Sequence, residues 1–176
     1  VGTSGAVYIS YYDDTGADLE YATNVSGAWG TSTVDSTGDA GFYSSIAVGT
    51  SGAVYISYYD GTNDYLKYAT NVSGAWGTST VDSTGNAGQY TSIAVGTSGA
   101  VYISYQNTTN RDLMYATNVS GSWGTTTLDS TGDTGRHTSI AVDTSGAVYI
   151  SYYDNTNFNL MYATTALPTV TTGAAS

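Results

Sequence analysis

The sequence predicts an all-β chain made of repeated four-stranded antiparallel sheets. The first observation is a 47-residue repeat: residues 1–47 recur almost unchanged as residues 48–94 and 95–141, and a partial copy covers residues 142–164. The second is composition, since the 176 residues are rich in small polar types, include 18 tyrosines and hold one proline, which suits strands and tight turns. The third is the alternation of side chains in "AVYISYY", which is the period of a strand.

Each full repeat contains four predicted strands. In the first copy the alternation places Val7 and Ile9 on one side of a strand and Tyr8 and Ser10 on the other. The remaining strands are "LEYAT", "WGTSTVD" and "SSIAV", at residues 19–23, 29–35 and 44–48. The links "GTSG", "DGTND" and "NVSGA" have hairpin length and turn-forming residues, so each unit is predicted to be an antiparallel meander.

A four-stranded meander with apolar or small residues on both faces must stack against a neighbour. Its repetition every 40 to 50 residues or so is the signature of a β-propeller, with a linear β-solenoid stack as the alternative. The pattern "YISYYD…LKYAT…W…VDS…YTSIAV" resembles bacterial propeller repeats of large secreted or surface proteins. The resemblance implies an extracellular or cell-surface location and carries no defined activity.

The repeat pattern is incomplete at both ends. The chain opens on the last residue of a first strand, and the fourth unit has no tryptophan strand: the register predicts Trp at position 170, where the sequence has Val170. Residues 165–176 resemble the lead-in to a fibronectin type III-like module, and the alternative is that "TVTTG" forms an irregular outer strand and the chain makes a four-bladed ring. We therefore expect an incomplete propeller, completed by other copies or by neighbouring modules of a longer chain.

Charge and composition exclude several classes of partner. The net charge is −11 and the basic side chains are Lys67, Arg111 and Arg136, too few to neutralise nucleic-acid phosphates or to favour an anionic membrane. No apolar run is long enough for a spanning helix. With no cysteine and one histidine, thiolate and histidine-rich metal sites are excluded, while the Asp-rich loops leave structural calcium as an alternative to hydrogen-bonded turns.

The sequence predicts no enzyme activity. Glycoside hydrolysis needs a pair of carboxyl groups about 5 to 10 Å apart, and the nearest candidate, Asp13 with Asp18, is not kept in the later repeats. A role in capping Asx turns explains these residues better. A sialidase would need an arginine cluster, which two arginines do not supply.

Two sets of loops differ between the repeats, while the "GTSG" and "NVSG" hairpins are nearly identical in every copy. In a meander the two variable sets leave the sheet at the same end, so one face of the assembly is diversified. Aromatic and amide or charged side chains in these loops suit sugars, which stack on rings and hydrogen-bond to polar groups. The candidate ligand-binding residues are Asp18, Phe42, Tyr43, Asp64, Tyr65, Gln89, Tyr90, Arg111, Asp112, Arg136, His137 and Phe158.

Four sequons are candidate glycosylation sites. Asn24, Asn71 and Asn118 occur in the same hairpin of successive repeats and would place glycans along the uniform face, and Asn107 is the fourth.

The leading functional hypothesis is a non-catalytic structural or adhesive module of a surface or filament-forming protein. The alternative is a lectin-like propeller that binds glycans through the variable loops. A part of a glycan-active enzyme is the third hypothesis and would need residues outside this segment.

Overall fold

The structure, a computed structural model, describes residues 2, 5–166 and 169–174. Its described residues form strands and turns and no helix, and none of them belongs to a helix that could cross a membrane. The strands are β1 Tyr8–Asp13, β2 Asp18–Thr23, β3 Gly30–Asp35, β4 Ala40–Val48, β5 Val54–Asp60, β6 Tyr65–Thr70, β7 Gly77–Asp82, β8 Ala87–Val95, β9 Val101–Asn107, β10 Asp112–Thr117, β11 Gly124–Asp129, β12 Arg136–Val142, β13 Val148–Asp154, β14 Asn159–Ala166 and β15 Thr169–Ala174.

The strands form four antiparallel sheets in chain order. The first sheet contains β1 to β3 within the described residues, and the others contain β4 to β7, β8 to β11 and β12 to β15. Each full sheet begins with the "SIAV" strand. The boundaries of the sheets therefore differ from the boundaries of the sequence units 1–47, 48–94 and 95–141. The predicted meander is confirmed.

The fourth sheet has its outer strand although the tryptophan motif is absent. Strand β15 pairs with β14 from Met161↔Ala174 to Ala166↔Thr169 without a shift in register. Backbone hydrogen bonds make this pairing, and they do not require the side chains of the repeat motif. The described part of the tail, residues 169–174, is therefore an outer strand of the fourth sheet.

Neighbouring sheets stack face to face. In β5 the Tyr58 hydroxyl donates to Asp35 of the preceding sheet at 2.6 Å, while Ser57, on the opposite face, accepts from Thr91 of the following sheet at 2.9 Å. The first strands of successive sheets lie side by side. The Ile93 amide of β8, for example, donates to the Ser45 hydroxyl of β4 at 3.2 Å. The four sheets therefore form an arc around a shared inner edge.

A tyrosine and an aspartate link each pair of neighbouring sheets. Besides Tyr58 and Asp35, Tyr105 donates to Asp82 at 2.7 Å and Tyr152 donates to Asp129 at 2.8 Å. Burial of these hydroxyls and their hydrogen bonds to carboxylates raise the pKa of each tyrosine. At the first junction Lys67 also contacts Asp35, at 2.6 Å. Burial raises the pKa of Asp35, but hydrogen bonds from Lys67 and Tyr58 outweigh it and lower the pKa overall.

Glycine lets the inner strand of one sheet approach the preceding sheet. Gly88 has a φ of +108°, and a Cβ atom added there would lie 2.8 Å from the Leu66 Cα. Gly41 and Gly135 stand at the same place in the repeat and meet Leu19 and Leu113 in the same way. Only a residue without a side chain fits this backbone and this spacing.

The two ends of the arc expose faces that the inner sheets bury. Ile56 and Tyr58 are fully buried under the first sheet, whereas their equivalents Ile9 and Tyr11 are 43% and 36% exposed. At the other end Tyr162 is exposed, although its equivalent Tyr68 is buried by the next sheet. Within the described residues the arc is open.

Candidate functional site

The two sets of variable loops meet at one end of the sheets. The loop before β4 contacts the β5–β6 hairpin, because the Gly61 amide donates to the Asp39 carbonyl and the Asp39 amide donates to the Thr62 hydroxyl, both at 2.7 Å. The same contacts recur around Asn86 and Asp133. We call this end, formed by residues 13–18, 36–43, 60–65, 83–90, 107–112, 130–137 and 154–159, the variable-loop face.

An aromatic column runs across this face near the inner edge of the arc. Tyr43, Tyr90 and His137 stand one repeat apart on β4, β8 and β12, and their ring centroids are separated by 4.8 Å and 4.6 Å. All three have positive φ angles, of 53°, 54° and 51°, at irregularities in the strand pairing. Such a bulge turns a side chain out of the sheet. The column is solvent-accessible along its length.

The first junction beside the column carries an apolar ring pair. The rings of Tyr12 and Phe42 stack with centroids 4.1 Å apart. The Tyr12 hydroxyl donates to Asp39 at 2.7 Å, and this hydrogen bond, with burial, raises the pKa of Tyr12 to about 12. The hydroxyl therefore stays protonated at neutral pH.

The second junction replaces that ring pair with a polar network. Asp64, in the left-handed region with a φ of 64°, accepts hydrogen bonds from the Tyr59 hydroxyl and, at 2.9 Å, from the Asn86 amide. Gln89 in turn donates to Asn86 at 3.2 Å. Burial and the bond to Asp64 raise the pKa of Tyr59 to about 12.

The third junction gathers donors around one carboxylate. Asp133 accepts from Gln106 at 2.9 Å, from Asn155 at 2.9 Å and from Arg136 at 2.8 Å. Burial raises the pKa of Asp133, but the hydrogen bonds from these three side chains outweigh it and lower the pKa overall. Three junctions with one backbone geometry thus present three different sets of side chains.

The remaining candidate residues lie on the same face but outside these clusters. Within the described chain no side-chain hydrogen bond or ring contact joins them to the column. Burial, followed by the nearby charge of Asp129, raises the pKa of Asp112. The candidate residues that lie outside the three clusters are Asp18, Tyr65, Arg111, Asp112 and Phe158.

Sequence reasoning missed the contribution of the position held by Tyr12, Tyr59 and Gln106. Tyr12 and Tyr59 recur in phase, as residues that pack between sheets do, yet their hydroxyls and the Gln106 amide bond to the variable loops. The substitution of Gln106 for tyrosine, in a strand that otherwise differs from β5 and β13 only at Asn107, is the signal that identifies the position.

The aspartates at the ends of the strands cap turns. The Asp13 carboxylate accepts from the Thr15 amide at 3.1 Å, and the equivalent bond recurs in the later repeats, as in Asp60 with Thr62. The turn-capping interpretation of Asp13 is confirmed. No cluster of three or more His, Asp or Glu side chains with metal-binding geometry occurs among the described residues.

The sequons of the uniform hairpin have a structural role. Asn24, Asn71 and Asn118 each accept a hydrogen bond at 2.8 Å from the backbone amide of a valine at the start of the second strand. Asn107 differs from them, since it is buried and its amide donates to the Thr84 carbonyl at 2.7 Å. A glycan on Asn107 would break that bond, so we expect Asn107 to carry no glycan in the folded chain.

Three of the solved structures that are similar to this chain are two lectins and a protein of unknown function. A mutant of the Aleuria aurantia lectin in complex with Fucα1-6GlcNAc has a TM-score of 0.68 at 15% identity, covering 96% of this chain and 56% of the lectin. The fold is that of a β-propeller. A fucose lectin from Kordia zhangzhouensis in complex with methyl-fucoside has a TM-score of 0.55 at 15% identity, covering 76% of the propeller chain and 99% of its own.

The third structure, a protein of unknown function from Dyadobacter fermentans, has a TM-score of 0.63 at 9% identity and covers 89% of the propeller chain and 58% of its own. No protein-family model and no curated protein matches the propeller chain in sequence.

Proposed function

We propose that this chain is a non-catalytic carbohydrate-binding propeller module that binds neutral glycans on the variable-loop face. The observation that carries the proposal is the accessible column of Tyr43, Tyr90 and His137, flanked by a different set of side chains at each junction. The lectin propellers with a similar fold support it. It takes precedence over the purely structural role because a scaffold does not require an aromatic column on its diversified face.

The chemistry of the face suits a sugar ring. The C–H groups of a pyranose pack against aromatic faces, and its hydroxyls need fixed donors and acceptors nearby. The three junctions offer these groups as tyrosine hydroxyls, amides and carboxylates. A net charge of −11 disfavours sialylated or sulfated glycans, so we expect neutral sugars to bind.

A titration with neutral glycans tests the proposal. A glycan array followed by calorimetry on the strongest binders is expected to show saturable binding in wild type. Tyr90→Asn removes the central ring while keeping a residue that tolerates the left-handed backbone, and it should weaken binding by about tenfold or more. Val72→Asn, at an exposed position of the opposite hairpin, is the matched control and should leave binding unchanged. No binding of any neutral glycan at millimolar concentration would refute the proposal.

A structural role beside glycan binding follows from the exposed end faces. The equivalents of Ile9 and Tyr11 are buried at every inner junction, and the equivalents of Tyr162 are buried or half-buried. Another copy or a neighbouring module would bury the exposed residues in the same way. Such an assembly fits a protein outside the cell, where adhesive repeat modules act.

Multi-angle light scattering at micromolar concentration tests this assembly. Wild type is expected to have the mass of more than one chain, and Tyr162→Asp should reduce it by placing a charge on the contact face. A monomeric wild type at this concentration would contradict self-association.

A further inference from the structure

A cavity lies between the third and fourth sheets, at the end opposite the variable-loop face. Its volume is about 300 Å³, and no charged side chain of the described residues lines it. The lining residues are Tyr102, Tyr115, Val119, Ser145, Gly146 and Thr165. It shares no residue with the proposed glycan site, so the two proposals are independent.

At the two preceding junctions the equivalent place holds an indole ring. Trp76 packs edge-on against Tyr21 of the preceding sheet, with ring centroids 5.2 Å apart and an interplanar angle of 69°. Trp123 packs against Tyr68 in the same way, at 5.2 Å and 68°. The indole ring covers the tyrosine at each of these two junctions, and Tyr21 and Tyr68 are each only 9% exposed.

The fourth sheet has the strand but lacks the indole. One repeat beyond Trp123 the sequence has Val170, which pairs with Thr165 across β14 and β15. Tyr115, the equivalent of Tyr21 and Tyr68, is accordingly only half-buried.

The tyrosine platform that receives the indole is unchanged. The rings of Tyr102 and Tyr115 lie 6.5 Å apart at 26°, against 6.3 Å at 33° for Tyr55 and Tyr68, the pair beneath Trp123. A preformed platform needs no rearrangement before it binds a ring, so the free energy of stacking is available to the ligand.

We propose that this cavity binds a planar aromatic ring of indole size. The ring would occupy the place that Trp76 and Trp123 fill at the other junctions and pack edge-on against Tyr115. Asp143, on the same turn as Ser145 and Gly146, and the net charge of −11 disfavour an anionic ligand. A neutral heterocycle is therefore favoured over its carboxylate derivative.

Titration of the propeller with free indole, followed by protein NMR, tests the site directly. We expect saturable shifts of the Tyr102, Tyr115 and Val119 amides and weaker binding of indole-3-acetate. Val170→Trp restores the tryptophan that the repeat has at this position and should reduce the affinity for indole about tenfold or more. Val25→Trp adds the same side chain at an exposed hairpin position of the first sheet, and it should bind indole as wild type does.

Two results would overturn the proposal. One is an absence of saturable shifts at millimolar indole, or saturable shifts confined to other parts of the chain. The other is unchanged indole binding by Val170→Trp. The wild-type shifts decide the question without any variant, so the test does not depend on how well Val170→Trp folds.

Discussion

Replacement of Tyr105 by phenylalanine removes one buried hydroxyl at the second junction, and it should cost about 2 to 3 kcal/mol. Tyr105 is fully buried, and its hydroxyl donates to one oxygen of Asp82 at 2.7 Å. The other Asp82 oxygen accepts from the Thr84 amide at 2.9 Å. In the variant, one oxygen of the buried Asp82 carboxylate loses its only donor in the described chain. A buried acceptor without a donor keeps its full desolvation penalty, so this loss destabilises the fold more than the removal of an exposed hydrogen bond does.

The repeats supply a graded set of controls for this prediction. Tyr58→Phe at the first junction should cost about 1 kcal/mol, because the same Asp35 oxygen keeps the Lys67 ammonium at 2.6 Å. Tyr11→Phe makes the identical chemical change in the first sheet, where the side chain is 36% exposed and donates no hydrogen bond to a described residue. Its cost should stay within about 0.5 kcal/mol, as for a surface substitution.

Urea unfolding followed by tryptophan fluorescence and circular dichroism measures all three variants on one scale. The slope of the free energy of unfolding against urea should be the same in each, so that differences in midpoint report stability. The expected order of cost is Tyr105→Phe, then Tyr58→Phe, then Tyr11→Phe. Equal costs for the three, or a Tyr105→Phe variant as stable as wild type, would refute the view that tyrosine–aspartate pairs hold neighbouring sheets together.

Three further predictions concern packing, the ion pair of Lys67 and Asp35 between the first two sheets, and pH. Gly88→Ala should lower the free energy of unfolding by about 3 kcal/mol or more, because its Cβ overlaps the Leu66 backbone. Gly74→Ala, at a position with a positive φ and open space, should lower it by only about 1 kcal/mol. Equal losses measured by urea unfolding would show that the approach of Gly88 to Leu66 is not tight. Lys67→Met should lower the free energy of unfolding by about 1 to 2 kcal/mol, less than the 3 to 5 kcal/mol or so expected when a buried ion pair is broken. The loss is smaller because Tyr58 still donates to Asp35 and because a methionine stands at this position in the next repeat. A larger loss in the same assay would contradict this expectation. Above about pH 10, the free energy of unfolding should fall by about 1.4 kcal/mol per pH unit for each fully buried tyrosine. The reason is that the folded state holds the tyrosine proton more tightly than the unfolded state does. Urea midpoints that stay constant to about pH 11 would contradict the raised tyrosine pKa values.

The local structure could be read from the sequence because the forces that set it are local. Alternating side chains in "AVYISYY" and turn residues in "GTSG" and "NVSG" determine strands and hairpins over a few residues. The 47-residue repeat then predicted a stack of like sheets, and variation among the copies located the diversified face. The outer strand β15 was harder to predict, since only backbone pairing, and no repeat motif, identifies it.

The site itself depends on contacts that no local pattern encodes. Tyr43, Tyr90 and His137 were selected one by one as variable-loop residues, but their stacking requires the rotation between successive sheets and the bulges that turn the rings outward. The tyrosine–aspartate pairs and the cavity over Tyr115 likewise join residues from neighbouring sheets. The sequence by itself determined the strands, the repeat and the variable face, while the tertiary structure decided which side chains meet, because packing between sheets sets those distances.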